Sequence, residues 1–333
     1  MTTDHTCAVD TGKPCAPCRR SKALRRFAMS ITAATVLGHT VLGFEQAYAT
    51  PLFSVVAAVL TELLLETVEA WGLRRPARHR RPLGEAVDFL LPAYIGGLAC
   101  AMLLYANSRI WPTLLAAIVG VSSKYLFRVR VMGKARHVLN PSNFGIVSVL
   151  LLFPWVGIAP PYEFTEWLNG WWGAVPPSVV LVLGTLLNGK LTGKLPLILG
   201  WAGGFAAQAL LRGAVTDVST VSALLPMTGT AFVLFTNYMI TDPGTSPWRR
   251  RNQVVFGATI AAAYGVLVQL HIVFGLFFAL VTACVLRAAL LAFLSARGGS
   301  SIPAPRQEAE QADAQDARAT AASGAGAAVA DAS

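Results

Sequence analysis

The sequence predicts an all-α, polytopic integral membrane protein with about ten transmembrane helices, and three observations predict it. Of the 333 residues, 54% are apolar and only 13% are charged, about half the charged share of an average soluble domain. Mean hydropathy is +0.55, and the apolar residues gather in runs of roughly 20, the length that crosses a hydrocarbon layer of about 30 Å. Lys and Arg collect between alternate runs, as expected when basic loops stay on one side of a bilayer.

The runs lie at 27–48, 51–73, 86–106, 110–127, 142–158, 177–190, 195–211, 222–241, 253–270 and 272–294. The fifth and sixth are short for a bilayer, a length that suits broken or re-entrant helices buried inside a bundle. Ten spans also accommodate two five-helix halves in inverted orientation. The membrane domain is therefore expected over 27–295, after a basic, Cys-bearing cytoplasmic segment at 1–26. A tail at 296–333, rich in Ala, Gln, Asp and Ser with almost no large apolar residue, is expected to be disordered. The six basic residues ahead of the first run argue against a secretory signal peptide.

With the N-terminus inside, the segments 1–26, 74–85, 128–141, 190–194 and 242–252, together with Lys124, hold 21 of the 27 Lys and Arg residues. The opposite side keeps Arg109 and Arg212, and the other four lie at or beyond the last run. This bias predicts a multi-pass protein of a bacterial plasma membrane with both termini cytoplasmic. It also accounts for the net charge of +10: basic loops face anionic headgroups, so the partner is the lipid bilayer and no nucleic acid is implied. The stretch PPYEFTEWLNGWWG, 160–173, reads as an aromatic anchor at the outer interface.

Ionisable groups inside an apolar run are costly and need a role. Glu62, Glu66 and Glu69 stand at i, i+4 and i+7, on one helical face. Two readings stand side by side: an ion, proton or substrate path, or pairing with polar groups of neighbouring helices. Two also stand for the N-terminal cysteines. Cys7, Cys15 and Cys18, with His5, supply soft ligands for zinc or iron, or they lie in a reduced, mobile segment. Cys100 and Cys284 read as small apolar filler within spans.

Two polar segments carry most information: KYLFRVRVMGKARHVLNPSNFG at 124–145 and LLPMTGTAFVLFTNYMITDPGTSP at 224–247. Each joins Asn-Pro or Asp-Pro to small hydroxyl residues at a helix end. Unpaired amides there suit a planar polar ligand and equally suit plain caps and turns. Within them, GKARHVLNP (133–141) and ITDPGTSP (240–247) resemble motifs of RnfD, from the Rnf electron-transport complex. They are similar also to NqrB, from the sodium-translocating NADH:quinone oxidoreductase. The stretch GHTVLGFEQAYATP (38–51) is more similar to UnbU-type membrane proteins encoded with enediyne polyketide biosynthesis. The resemblance extends loosely over about 110–295, and only the two motifs are specific.

What the resemblance implies is an electron-transfer subunit of a membrane oxidoreductase, flavin-dependent and in some relatives ion-coupled, associated with enediyne biosynthesis. Its partners would be other membrane or redox subunits, or biosynthetic enzymes. Carried over residue by residue, the cofactor site would draw on Lys124, His137, Asn140, Pro141, Asn143, Thr228, Gly229, Asp242 and Pro243. The cofactor would be a non-covalent flavin, riboflavin or FMN. The relatives' SGAT-type attachment motif is missing from VGIAPPYEFTEWLNGWWGAVPP, 156–177, so covalent FMN is not expected. The alternatives are a transporter or export component for the enediyne or a precursor, without redox chemistry, and a scaffold that docks biosynthetic enzymes. No Walker motif, strand-to-helix GxGxxG or HExxH occurs, which disfavours ATP hydrolysis, nicotinamide binding and zinc proteolysis.

Overall fold

The computed structural model describes residues 16–41, 44, 46–131, 134–159, 170–242, 244–247 and 249–297. Its helices are α1 (Ala16–Thr40), α2 (Ala49–Gly72), α3 (Leu83–Leu103), α4 (Trp111–Leu126), α5 (Pro141–Leu152), α6 (Val175–Leu187), α7 (Leu195–Val215), α8 (Thr220–Leu224), α9 (Thr230–Leu234), α10 (Arg250–Gln269) and α11 (Gly275–Arg297). α6 passes into a π turn at Asn188–Thr192 and α9 into another at Phe235–Met239. α8 continues as a 3-10 turn, Leu225–Thr228. The segments on either side of Gly229 are bent by 66°.

All ten apolar runs fall on helical segments, but their lengths differ. Among the described residues five helices, α2, α3, α7, α10 and α11, are long and apolar enough to cross a membrane, and the bent α8–α9 pair would make six. α4, α5 and α6 have 16, 12 and 13 residues, against about 20 for a full span. α1 is long enough, yet its first half carries Arg19, Arg20, Lys22, Arg25 and Arg26. Turn residues that extend an apolar window do not extend a helix, which is why counting windows gave more spans than counting helices.

α2 shows why the bundle suits lipid. Leu52, Val56, Leu60, Leu64 and Val68, four residues apart, form an exposed apolar stripe, while Ser54, Ala58, Glu62, Glu66 and Ala70 are buried. This is the inverse of a soluble amphipathic helix. Helices without a water-driven force between them rely on small residues for close approach. Gly200 of α7 fits against the backbone of Val254 in α10, and Gly257 of α10 against Leu197 and Trp201 of α7. At the α4–α5 crossing Gly120 and Gly145 face each other, and a β-carbon at 145 would stand 2.0 Å from the Ala116 carbonyl oxygen. An aromatic core of Trp201, Phe205, Phe232 and Phe235 fills the space between α7 and α9, with the Trp201 indole donating to Thr236 Oγ1 at 2.9 Å.

The fold is mostly helical, consistent with the all-α expectation, and among the described residues two short antiparallel pairs accompany the helices. β1 (Leu104–Tyr105) pairs with β4 (Gly157–Ile158), and β2 (Arg128–Val131) with β3 (Lys134–His137), register Arg128↔His137. RVRV and KARH alternate in the two-residue period of a strand, but over only four residues each. The pairs lie at opposite ends of the bundle. Near β1 and β4, Trp111, Phe153 and Trp155 pack together under Arg109. Around β2 and β3 the Arg-rich loops meet: Arg128 reaches Glu69, Arg75 reaches Glu66, and His137 faces Asp242.

Candidate functional site

Asn140 is the N-cap of α5, with extended backbone, and Pro141 supplies the first helical position, where no amide hydrogen is needed. The Asn140 Oδ1 accepts from the Asn143 amide at 3.1 Å and from the Ser142 hydroxyl at 3.0 Å. Its Nδ2 donates to the Met239 carbonyl at 2.9 Å, in the π turn after α9. One turn on, Asn143 Nδ2 donates to the Phe277 carbonyl at 2.9 Å. Two motifs 99 residues apart are thereby closed on each other, and α11 is pinned to both.

The second motif forms a tight turn. Asp242 Oδ2 accepts from the Thr245 amide and hydroxyl at 3.2 and 2.9 Å, and its carbonyl accepts from Ser246 N and Oγ at 3.0 and 2.6 Å. Lys194, wholly buried, donates to the Pro247 carbonyl at 2.7 Å, and Arg287 donates to that of Thr245. His137 Nε2 lies 3.8 Å from Asp242 Oδ2. A β-carbon at 244 would stand 2.3 Å from the same imidazole nitrogen, so glycine is needed there for the ring to approach.

Burial raises the Asp242 carboxyl, but His137 and the Thr245 hydroxyl outweigh it and hold the group below its ordinary value. A depressed carboxyl contributes stability in full above the unfolded value of about 3.9, and loses it as pH falls through the folded one. In detergent, Asp242→Asn should therefore melt below wild type at about pH 5, and the gap should narrow on further acidification. A gap that widens with acid would show the opposite sign.

The glutamate stripe builds a second cluster. Glu62 takes the Lys124 ammonium and, at 2.9 Å, the Tyr125 hydroxyl. Glu66, with no exposed surface, takes Arg75 at 2.5 and 3.2 Å and the Arg78 amide at 3.0 Å. Glu69 takes Arg75 at 3.0 Å and Arg128. Each carboxylate thus faces a cation: Lys124 at the end of α4 for Glu62, Arg75 in the loop after α2 for Glu66, and Arg128 beyond α4 for Glu69.

Of the residues the resemblance nominated, His137, Asn140, Pro141, Asn143 and Asp242 come together. Lys124 joins the glutamate cluster instead. Thr228, exposed and bonded to the Leu225 carbonyl, and Gly229 sit at the bend before α9. The α9 and π-turn stretch parts them from Asp242 by about 15 Å of helical rise. Pro243, Cys7, Cys15 and the side chain of Cys18 lie outside the described residues. Among the described residues no group of three His, Cys, Asp or Glu could hold a metal ion. Sequence reasoning passed over Lys194, Arg287 and the pair Asn188–Asn237, in which Asn188 Nδ2 donates to the Asn237 carbonyl at 2.8 Å. The signal for the last was available, since each Asn interrupts an apolar run.

At the junction, chemistry and volume point in opposite directions for a flavin. Its chemistry suits the polar edge of a ring, and Asn143 Oδ1 is a buried acceptor without a partner. Its volume does not: the cavity bounded by His137, Gly244, Cys284 and Arg287 measures about 40 Å³, room for a few waters, against roughly 300 Å³ or more for a ligand pocket. In this packing the junction does not fit an isoalloxazine.

The fold and its polar clusters define a helical protein of the membrane-embedded class. No family model matches the chain, and no curated protein matches it.

Proposed function

We propose that the chain is a multi-pass subunit of a bacterial plasma membrane, with ten spans and both termini cytoplasmic. On this reading it serves flavin-dependent electron transfer of the RnfD/NqrB-like type in association with enediyne biosynthesis. The observation that supports this is the meeting of the two segments carrying the resemblance, 124–145 and 224–247, through the hydrogen bond of Asn140 to Met239 and the approach of His137 to Asp242. The closed junction is too small for the ring, so the reading rests on the meeting of the two motifs and not on a pocket. An absorbance spectrum of detergent-purified protein tests it. A flavin spectrum, lost from the polypeptide on denaturation because no attachment motif is present, is expected. Protein that stays colourless after incubation with riboflavin and FMN overturns it.

A second reading, transport without redox chemistry, draws on one observation. The α8–α9 pair is interrupted at Gly229, and the π turns at Asn188 and Asn237 meet inside the bundle, as in transporters whose broken helices line a central site. Flux of product by a flavin-free preparation would select it.

A further inference from the structure

The C-terminus of α2 is closed by a Schellman motif. The Leu73 amide bonds the Glu69 carbonyl, the Arg74 amide that of Trp71, and the Arg75 amide that of Ala70. The residue after the cap in such a motif takes left-handed backbone and is usually glycine. Here it is Arg74, with φ 49°. A side chain is disfavoured in that conformation, so the position suits glycine better than arginine by backbone alone.

Among the described residues the side chain has no compensating partner. Its neighbour Arg75 is committed to Glu66 and Glu69, whereas the exposed Arg74 has no acidic partner among the described residues. Arg74 and Arg75 instead form an open surface at the end of α2 with Trp71 and Gly72. Trp71 is 83% exposed at the end of an apolar helix, where an amphipathic ring marks the headgroup level of a bilayer. Leu73 and the stripe of Val68 and Leu64 continue as exposed apolar surface beside it.

We propose that this exposed end of α2 is a binding site for an anionic phospholipid. Arg74 holds the phosphodiester, Trp71 lies at the headgroup, and the acyl chains run along the exposed stripe of α2. Free phosphate fits less well, because an anion alone leaves Trp71 and the stripe uncovered.

Arg74→Gly separates this site from the fold, since glycine suits the backbone better than the residue it replaces. In neutral detergent the variant should melt no lower than wild type. In nanodiscs of phosphatidylglycerol and phosphatidylcholine, native mass spectrometry should find the bound phosphatidylglycerol reduced about fivefold, the factor expected for one well-placed charge. Arg74→Lys should retain most of it. Equal phosphatidylglycerol retention by wild type and Arg74→Gly would overturn the proposal. So would a rise in melting temperature with inorganic phosphate equal to that given by phosphatidylglycerol.

Discussion

Replacing Glu66 by Ala should destabilise the protein in detergent by about 3 kcal/mol, the low end of the cost of breaking a buried charge pair. Glu66 has no exposed surface and satisfies Arg75 twice and the Arg78 amide once. Its removal strands an amide and half of a guanidinium. The low end applies because Arg75 is 28% exposed and keeps Glu69. Glu66→Gln should cost less, as the amide oxygen still accepts from Arg78. Glu62→Gln discriminates the two readings of the stripe. If Glu62 anchors Lys124, the variant melts lower and working molecules function normally. If Glu62 carries a proton, function is lost at unchanged melting temperature.

Gly145→Val should have the larger effect and prevent stable packing of α4 against α5. The branched side chain would occupy the space of the Ala116 carbonyl, which neither helix can vacate without losing the Gly120 contact. Overpacking ordinarily costs about 1–3 kcal/mol; a clash with backbone, which has no rotamer to change, belongs at or above the upper end. Gly145 is five residues from Asn140, so the Asn140–Met239 bond should be lost as well. The check is yield and melting temperature beside Gly96→Val, a helical glycine whose β-carbon meets nothing within 4 Å. Equal behaviour of the two variants would reject the crossing as a tight contact.

The helical segments were legible because hydropathy is set residue by residue. The pairing of Glu62, Glu66 and Glu69 was legible only as a face, since their cations come from 75–78 in the following loop and from Lys124 and Arg128 far along the chain. The hairpin was missed because four alternating residues fall below any useful window. Gly244 shows the same limit. In DPGTS it reads as a turn glycine, whereas its requirement comes from an imidazole more than a hundred residues earlier. The approach of LNP to TDP was implied by resemblance alone; nothing local in either motif announces the other.

Arg128 and His137 are opposite one another on the two-stranded ladder. One grips Glu69 at the end of α2 while the other faces Asp242 beyond α9. The ladder therefore works as a crossbar between the carboxylate lattice and the Asp242 turn. Loss of the hairpin would therefore remove both contacts together, the one to Glu69 and the one to Asp242.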